Sequence, residues 1–136
     1  MTTTELGLAE ALVRLSHAVQ HVFTDVSREN DLTPQQAQLL CVLAAQPLGM
    51  TELSRRLHLE KSSLTGLVDR VERRGLAERV RDGKDRRACQ IALTDEGTEL
   101  AVRTHNAVTA RIGALTGDLP AATQSHVRAV LDALTK

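Results

Sequence analysis

At 136 residues the chain is one domain by length, with room for an ordinary core but short for a two-domain enzyme. Phe23 is the only aromatic residue, so the core must be built from Leu, Val, Ala and a few Ile and Met, which suit helix-on-helix packing. The formal net charge is zero, yet residues 51–87 hold 11 basic and 7 acidic side chains, so a cationic module is joined to an acidic remainder. No apolar run approaches the roughly 20 residues that cross a bilayer, and the N-terminus carries an acid where a secretory signal carries a base. A cytoplasmic protein with no membrane partner is expected. Two cysteines, Cys41 and Cys89, are too few for a disulfide framework and fit a reducing compartment.

Between residues 5 and 28, Leu8, Leu12, Leu15, Val19, Val22 and Val26 step by alternating fours and threes, the seam of a coiled coil, which Ala9, Val13 and Phe23 widen. A helix this long exceeds what one small domain needs to cover its own core. The surplus suggests a contact between subunits; the alternative is a helix packed only within its own subunit. Residues 30–33 break the helix. Thr33 then caps a second one, with Pro34 at its first position and Gln36 placed to reach back in a capping box. Ala37, Leu40, Leu43 and Ala44 are expected to face the core, and Gln46-Pro47-Leu48-Gly49 ends the helix.

Thr51 is expected to cap a short third helix with Leu53 and Leu57 inward and Arg55 and Arg56 toward solvent or phosphate. A turn at His58-Leu59-Glu60 leads to a longer helix in which Leu64, Leu67, Val68 and Val71 share one side of a 3.6-residue period. Ser62, Gly66, Asp69 and Arg73 then face out, flanked by Ser63, Thr65 and Arg70. Gly66 costs about 1 kcal/mol relative to Ala inside a helix, and it leaves the exposed centre free of bulk. Gly75 suits the left-handed position after the helix, and Arg73 and Arg74 suit the negative end of its dipole as well as a DNA contact. Two strands follow, over residues 77–81 and around Cys89, Ile91 and Leu93. Asp82-Gly83-Lys84-Asp85-Arg86-Arg87 makes a cationic turn between them. Thr94 caps the next helix, whose buried stripe is expected at Leu100, Val108, Ile112 and Leu115. Gly117-Asp118-Leu119-Pro120 turns a corner, and Val127, Val130, Leu131 and Leu134 give the last helix an apolar side.

The order of these parts is that of a winged helix-turn-helix in a mainly α chain. Residues 31–94 form the DNA-binding region, and residues 1–30 and 95–136 supply the helices of a dimerisation module within one compact domain. Residues 61–73 are the candidate recognition helix for a DNA major groove. Ser62, Ser63 and Thr65 offer hydroxyls at its start, as base contacts or as ordinary caps and phosphate ligands, and Lys61 and Arg70 are assigned to phosphates.

This stretch resembles the MarR family of transcriptional regulators. The matching residues are Leu32-Thr33-Pro34 with Gln38, Thr51-Glu52-Leu53-Ser54, Leu64-Thr65-Gly66-Leu67-Val68-Asp69-Arg70-Val71-Glu72-Arg73-Arg74-Gly75-Leu76, Asp85-Arg86-Arg87 and Leu93-Thr94-Asp95-Glu96-Gly97. The resemblance implies a homodimeric repressor or activator that binds a pseudo-palindromic operator in double-stranded DNA and is often released by a small-molecule effector. It also implies a wing with an Asp-x-Arg signature whose arginine enters the minor groove. Arg87 matches that arginine, Arg86 is a second candidate, Lys84 adds a cation, and Asp85 would hold the guanidinium by a charge-assisted hydrogen bond. Asp69 matches the family's helix acid and is expected to brace an arginine of the wing.

By the same resemblance an effector cavity is expected between the two modules, with His17, His21 and His105 as candidate lining. His17 and His21 are also spaced to chelate a metal, but no third ligand lies nearby, so no metal and no cofactor is expected. Redox sensing is disfavoured: the reactive cysteine of the family's peroxide-sensing branch is missing near the start of the first helix, and Cys41 sits in an apolar run. No phosphate-cradling loop, nucleophile elbow or zinc-hydrolase motif marks an enzyme. The rival from another class is a winged-helix adaptor for proteins, which would not need cations at a loop tip.

Overall fold

A computed structural model describes residues 3–81 and 89–135. The first helix, α1 (Thr3–Glu29), follows the predicted seam, but only its C-terminal end is covered: Val26 is fully buried while Leu8, Leu12 and Leu15 stay exposed. Asp31 stops it in the left-handed region at φ 56°, and the Leu32 N–H returns to the Ser27 carbonyl at 2.8 Å. Aspartate tolerates that conformation better than a branched residue would.

Helix α2 (Pro34–Leu43) begins with the capping box read from its sequence. The Gln36 N–H donates to Thr33 Oγ1 and the Thr33 N–H to Gln36 Oε1, each at 3.1 Å. Ala37, Leu39, Leu40 and Leu43 are buried, but Ala44 is exposed because the helix has ended and the chain turns away there. A short strand that the sequence did not announce follows, β1 (Leu48–Gly49). It displaces the expected cap. With Gly49 held extended in the sheet, α3 (Met50–Leu57) starts directly from it, and Thr51 falls at the second helical position, exposed and capping nothing.

Left-handed His58 at φ 54° ends α3, and α4 (Lys61–Arg73) follows two residues later. Leu64, Leu67, Val68 and Val71 are at most 1% exposed. Each contributes about 1.5–3 kcal/mol of burial, which readily outweighs the helix penalty of Gly66. Gly75, at φ 75°, closes the helix: its N–H donates to the Glu72 carbonyl at 2.9 Å and that of Leu76 to the Val71 carbonyl at 3.1 Å. These are the two bonds of a Schellman stop.

Strand β2 (Ala77–Arg81) has the bounds read from sequence, β3 (Cys89–Leu93) spans the three alternating residues named for it, and with β1 they form an antiparallel sheet of order β1-β3-β2. Ile91 is buried, but Cys89, which alternates with it, is exposed where the strand runs off the core. Thr94 caps α5 (Asp95–Thr116) through the Gly97 N–H at 3.1 Å. The expected stripe of α5 is not what it buries. Small residues, Gly97, Ala101 and Thr104, make the close contact; Leu100, Val108 and Ile112 are half-buried, and Leu115 is 55% exposed. The last helix, α6 (Ala121–Leu134), has no buried residue at all. Among the described residues no helix is long and apolar enough to cross a membrane.

Candidate nucleic-acid interface

With its four apolar residues turned into the core, α4 presents Lys61, Ser62, Ser63, Thr65 and Arg70 to solvent, with Gly66 half-exposed among them. Its N-cap, Glu60, makes no side-chain cap bond, so no side chain takes up the orphan N–H donors of the first turn. Thr65 Oγ1 donates to the Lys61 carbonyl at 2.8 Å. Its proton is committed, which leaves the hydroxyl oxygen free only as an acceptor.

Arg70 is not simply extended. A Cβ placed on Gly66 would lie 3.3 Å from Arg70 Nη1, so the guanidinium folds back over the bare glycine. The glycine thus makes room for Arg70 as well as for an approaching surface. Because the contacting atom is the far end of a flexible side chain, Gly66→Ala is expected to stabilise the fold by about 1 kcal/mol in thermal denaturation, the ordinary helix preference of alanine.

Three acids near this face, Glu52, Asp69 and Glu72, are paired. Glu52 accepts from Arg55 Nε at 3.2 Å and from Arg56 Nε at 2.8 Å, and the Arg55 and Arg56 hydrogen bonds hold its carboxyl down to about 2. Asp69 does brace an arginine, but one on a wing strand: Arg79 Nη2 donates to Asp69 Oδ1 at 2.8 Å and Arg79 Nη1 to Glu72 Oε1 at 2.5 Å. Arg79 was missed in the sequence reading. The signal was present, since Arg79 lies two residues after buried Ala77 and shares its side of the strand, where a cation needs an acid from the packed helix. The Asp69 hydrogen bond leads the effects that raise the pKa of that guanidinium. Arg74 turns away from the reading face and donates to the Asp31 carbonyl and to Gln36 Oε1, tying the end of α4 to the α1–α2 break. Of its two readings, as a structural residue at the helix end or as a DNA contact, these bonds fit the structural one.

Lys84, Asp85, Arg86 and Arg87, assigned to the wing tip, lie outside the described residues. The three histidines are not gathered in one cavity. His17 and His21 share a surface recess with Asp25 and Arg28, whereas His105 lines a separate recess of about 400 Å³ with Cys41, Ala45, Val102 and Asn106. Burial pushes the Cys41 thiol pKa up. Among the described residues no group of three or more His, Cys, Asp or Glu is placed to hold a metal ion.

A model of the MarR family matches residues 30–88. The homoprotocatechuate degradative operon repressor of Escherichia coli is 34% identical over 95 residues, 69% of this chain and 64% of that repressor. The chain therefore spans a little under two thirds of that curated relative. A solved structure of the transcriptional repressor CouR bound to a 23-mer DNA duplex is 28% identical, with a TM-score of 0.78 over 100% of this chain and 99% of that one. NadR in complex with 4-hydroxyphenylacetate is 26% identical, with a TM-score of 0.76 over 100% of this chain and 94% of that one. A winged helix with a polar outer face, the family match across it and likeness to such regulators along its whole length point to one family: over residues 30–88 this chain matches the MarR family.

Proposed function

We propose that the chain is a homodimeric, sequence-specific regulator of transcription, a repressor that a small-molecule effector releases from DNA. The observation that carries this reading is the outer face of α4. Lys61, Ser62, Ser63, Thr65 and Arg70 are exposed together, while Asp69 and Glu72, acids that would repel phosphate, are both engaged by Arg79, which offsets one of their two charges. In this reading α4 enters the major groove, Lys61 and Arg70 hold phosphates, and Lys84, Arg86 and Arg87 reach the adjacent minor groove. The uncovered apolar faces of α1, α5 and α6 supply the dimer contact and set the two reading helices about one helical turn, ~10 bp, apart. That CouR was solved on a duplex and NadR with an aromatic acid supports both the DNA and the effector side. His105 and its recess offer one effector seat within the protomer, His17 and His21 another.

Binding to a duplex selected from a randomised pool, measured at several salt concentrations, tests the reading. Affinity is expected to fall steeply with salt, with a log–log slope of about −0.9 per phosphate neutralised. Arg87→Ala is expected to weaken binding roughly tenfold and to flatten that slope by about one contact, with the fold and dimer intact. Loose binding to every duplex, with no salt dependence, would favour the protein-binding adaptor. Gly66→Ala is expected to separate stability from function, raising the melting temperature while lowering affinity as the methyl group and the displaced Arg70 crowd the groove.

A further inference from the structure

Strand β2 is at the edge of the sheet, so the N–H groups that do not face β3 are left for another partner. At Arg79 that partner is the recognition helix. The Arg79 main-chain N–H donates to Glu72 Oε2 at 3.2 Å, its Nη1 to Glu72 Oε1 at 2.5 Å and its Nη2 to Asp69 Oδ1 at 2.8 Å. Asp69 and Glu72 are three apart on α4, hence side by side, and one planar guanidinium spans both. One residue therefore makes three bonds from the hairpin to two carboxylates of the helix. The side chains are 33%, 44% and 39% exposed for Arg79, Asp69 and Glu72, so water only partly screens the pairs.

No other ion pair among the described residues joins α4 to the hairpin. Apolar packing joins them as well: Ala77 at the base of β2 and Ile91 of β3, the register partner of Arg79, are buried in the core that holds Leu64, Leu67, Val68 and Val71. Such packing carries no directional bond between α4 and the edge strand. A fork that grips two carboxylates of the helix from β2 supplies one.

We propose that Arg79 is a positioning residue for DNA recognition: by clasping Asp69 and Glu72 it sets the angle between α4 and the β2–β3 hairpin, so that helix and hairpin meet the duplex as one rigid unit. The proposal rests on the DNA-binding reading above. A lysine at this position would keep the positive charge but, as a point donor, could not hold both carboxylates in a fixed plane. Geometry and charge are thereby separable.

The test uses the full chain with R79K, R79A and the paired variant D69N/E72Q on a duplex selected by the wild-type protein, with hydroxyl-radical footprints, affinities over a range of salt and melting temperatures. R79K is expected to lose roughly tenfold in affinity, close to the loss in R79A, as befits a bidentate contact that charge alone does not replace. D69N/E72Q is expected to behave alike although it removes two anions from the DNA-facing module. In each variant the outermost protections should fade while the central ones remain, and the salt slope should flatten as the hairpin's phosphate contacts are lost. R79K binding like wild type would show that only charge matters and overturn the clasp. Protections fading evenly, in step with a lower melting temperature, would reduce Arg79 to a stability element and overturn it as well. A wild-type protein that selects no duplex would instead sink the DNA-binding reading itself.

Discussion

Gly97→Ala is expected to cost the fold about 3 kcal/mol or more, the opposite sign to the ordinary gain of alanine over glycine in a helix. A Cβ at Gly97 would sit 1.8 Å from the Leu76 carbonyl oxygen and 2.8 Å from its carbon, both backbone atoms. That carbonyl cannot step aside. It accepts the Thr94 N–H at 3.1 Å, and the N–H of the same residue completes the Schellman stop of α4. Thr94 Oγ1 adds a bond to the Gly75 carbonyl at 2.7 Å, while accepting from Gly97 itself. The methyl group would push the first turn of α5 off the end of the recognition helix and strip several of these bonds at once. At fixed protein concentration, thermal denaturation should show a fall of roughly 10 °C for a chain of this size. A melting temperature at or above that of the wild type would mean that the contact between α5 and the stop of α4 is looser than described. Gly66→Ala provides the control, because the same chemical change at an open helical position is expected to stabilise.

Val130→Asp combined with Leu134→Asp is expected to turn the proposed dimer into a monomer and to lower affinity for a two-half-site duplex by roughly 10²–10⁴, the advantage that linking two binding modules confers. The case rests on α6. Val127, Val130, Leu131 and Leu134 fall on one face of that helix and are 38%, 45%, 36% and 65% exposed, and no element of the same chain packs extensively against it. A helix of 14 residues is marginal in water on its own, at the limit of about 12–15 residues, so something must cover it. Leu8, Leu12 and Leu15 on α1 and Leu115 on α5 extend the uncovered apolar surface. A patch of this kind marks an interface, and in the proposed reading of two half-sites its occupant is a second copy. Because both substituted side chains are already solvent-exposed in the protomer, the fold should survive. Sedimentation would report the mass and circular dichroism the fold. A folded double variant that still sediments as a dimer would show that the contact is made elsewhere.

What could be read without coordinates was whatever depends on neighbours a few positions away. The Thr33 capping box, the stop at Gly75, the Thr94 cap and the inward set of α4 all follow from hydrogen bonds and side-chain periods that close within about five residues. The family motifs run over this same region, and the side of α4 read as outward is the exposed one.

Contacts between segments distant in sequence were decided only by the packed chain. Arg79 looked like one more strand cation until α4 set Asp69 and Glu72 beside it, and Arg70 looked like a free phosphate ligand until Gly66 gave it a place to lie. Thr51 has the chemistry of a cap, but the pairing of Leu48 and Gly49 with β3 moved the helix start one residue ahead of it. On α5 the expected large residues yielded to Gly97, Ala101 and Thr104, because the helix lies close against α1 and α2 and, at Gly97, against the backbone of Leu76. Periodicity fixes which residues share a side of a helix; which side lies against another element depends on where the rest of the chain has gone, and no local pattern carries that information.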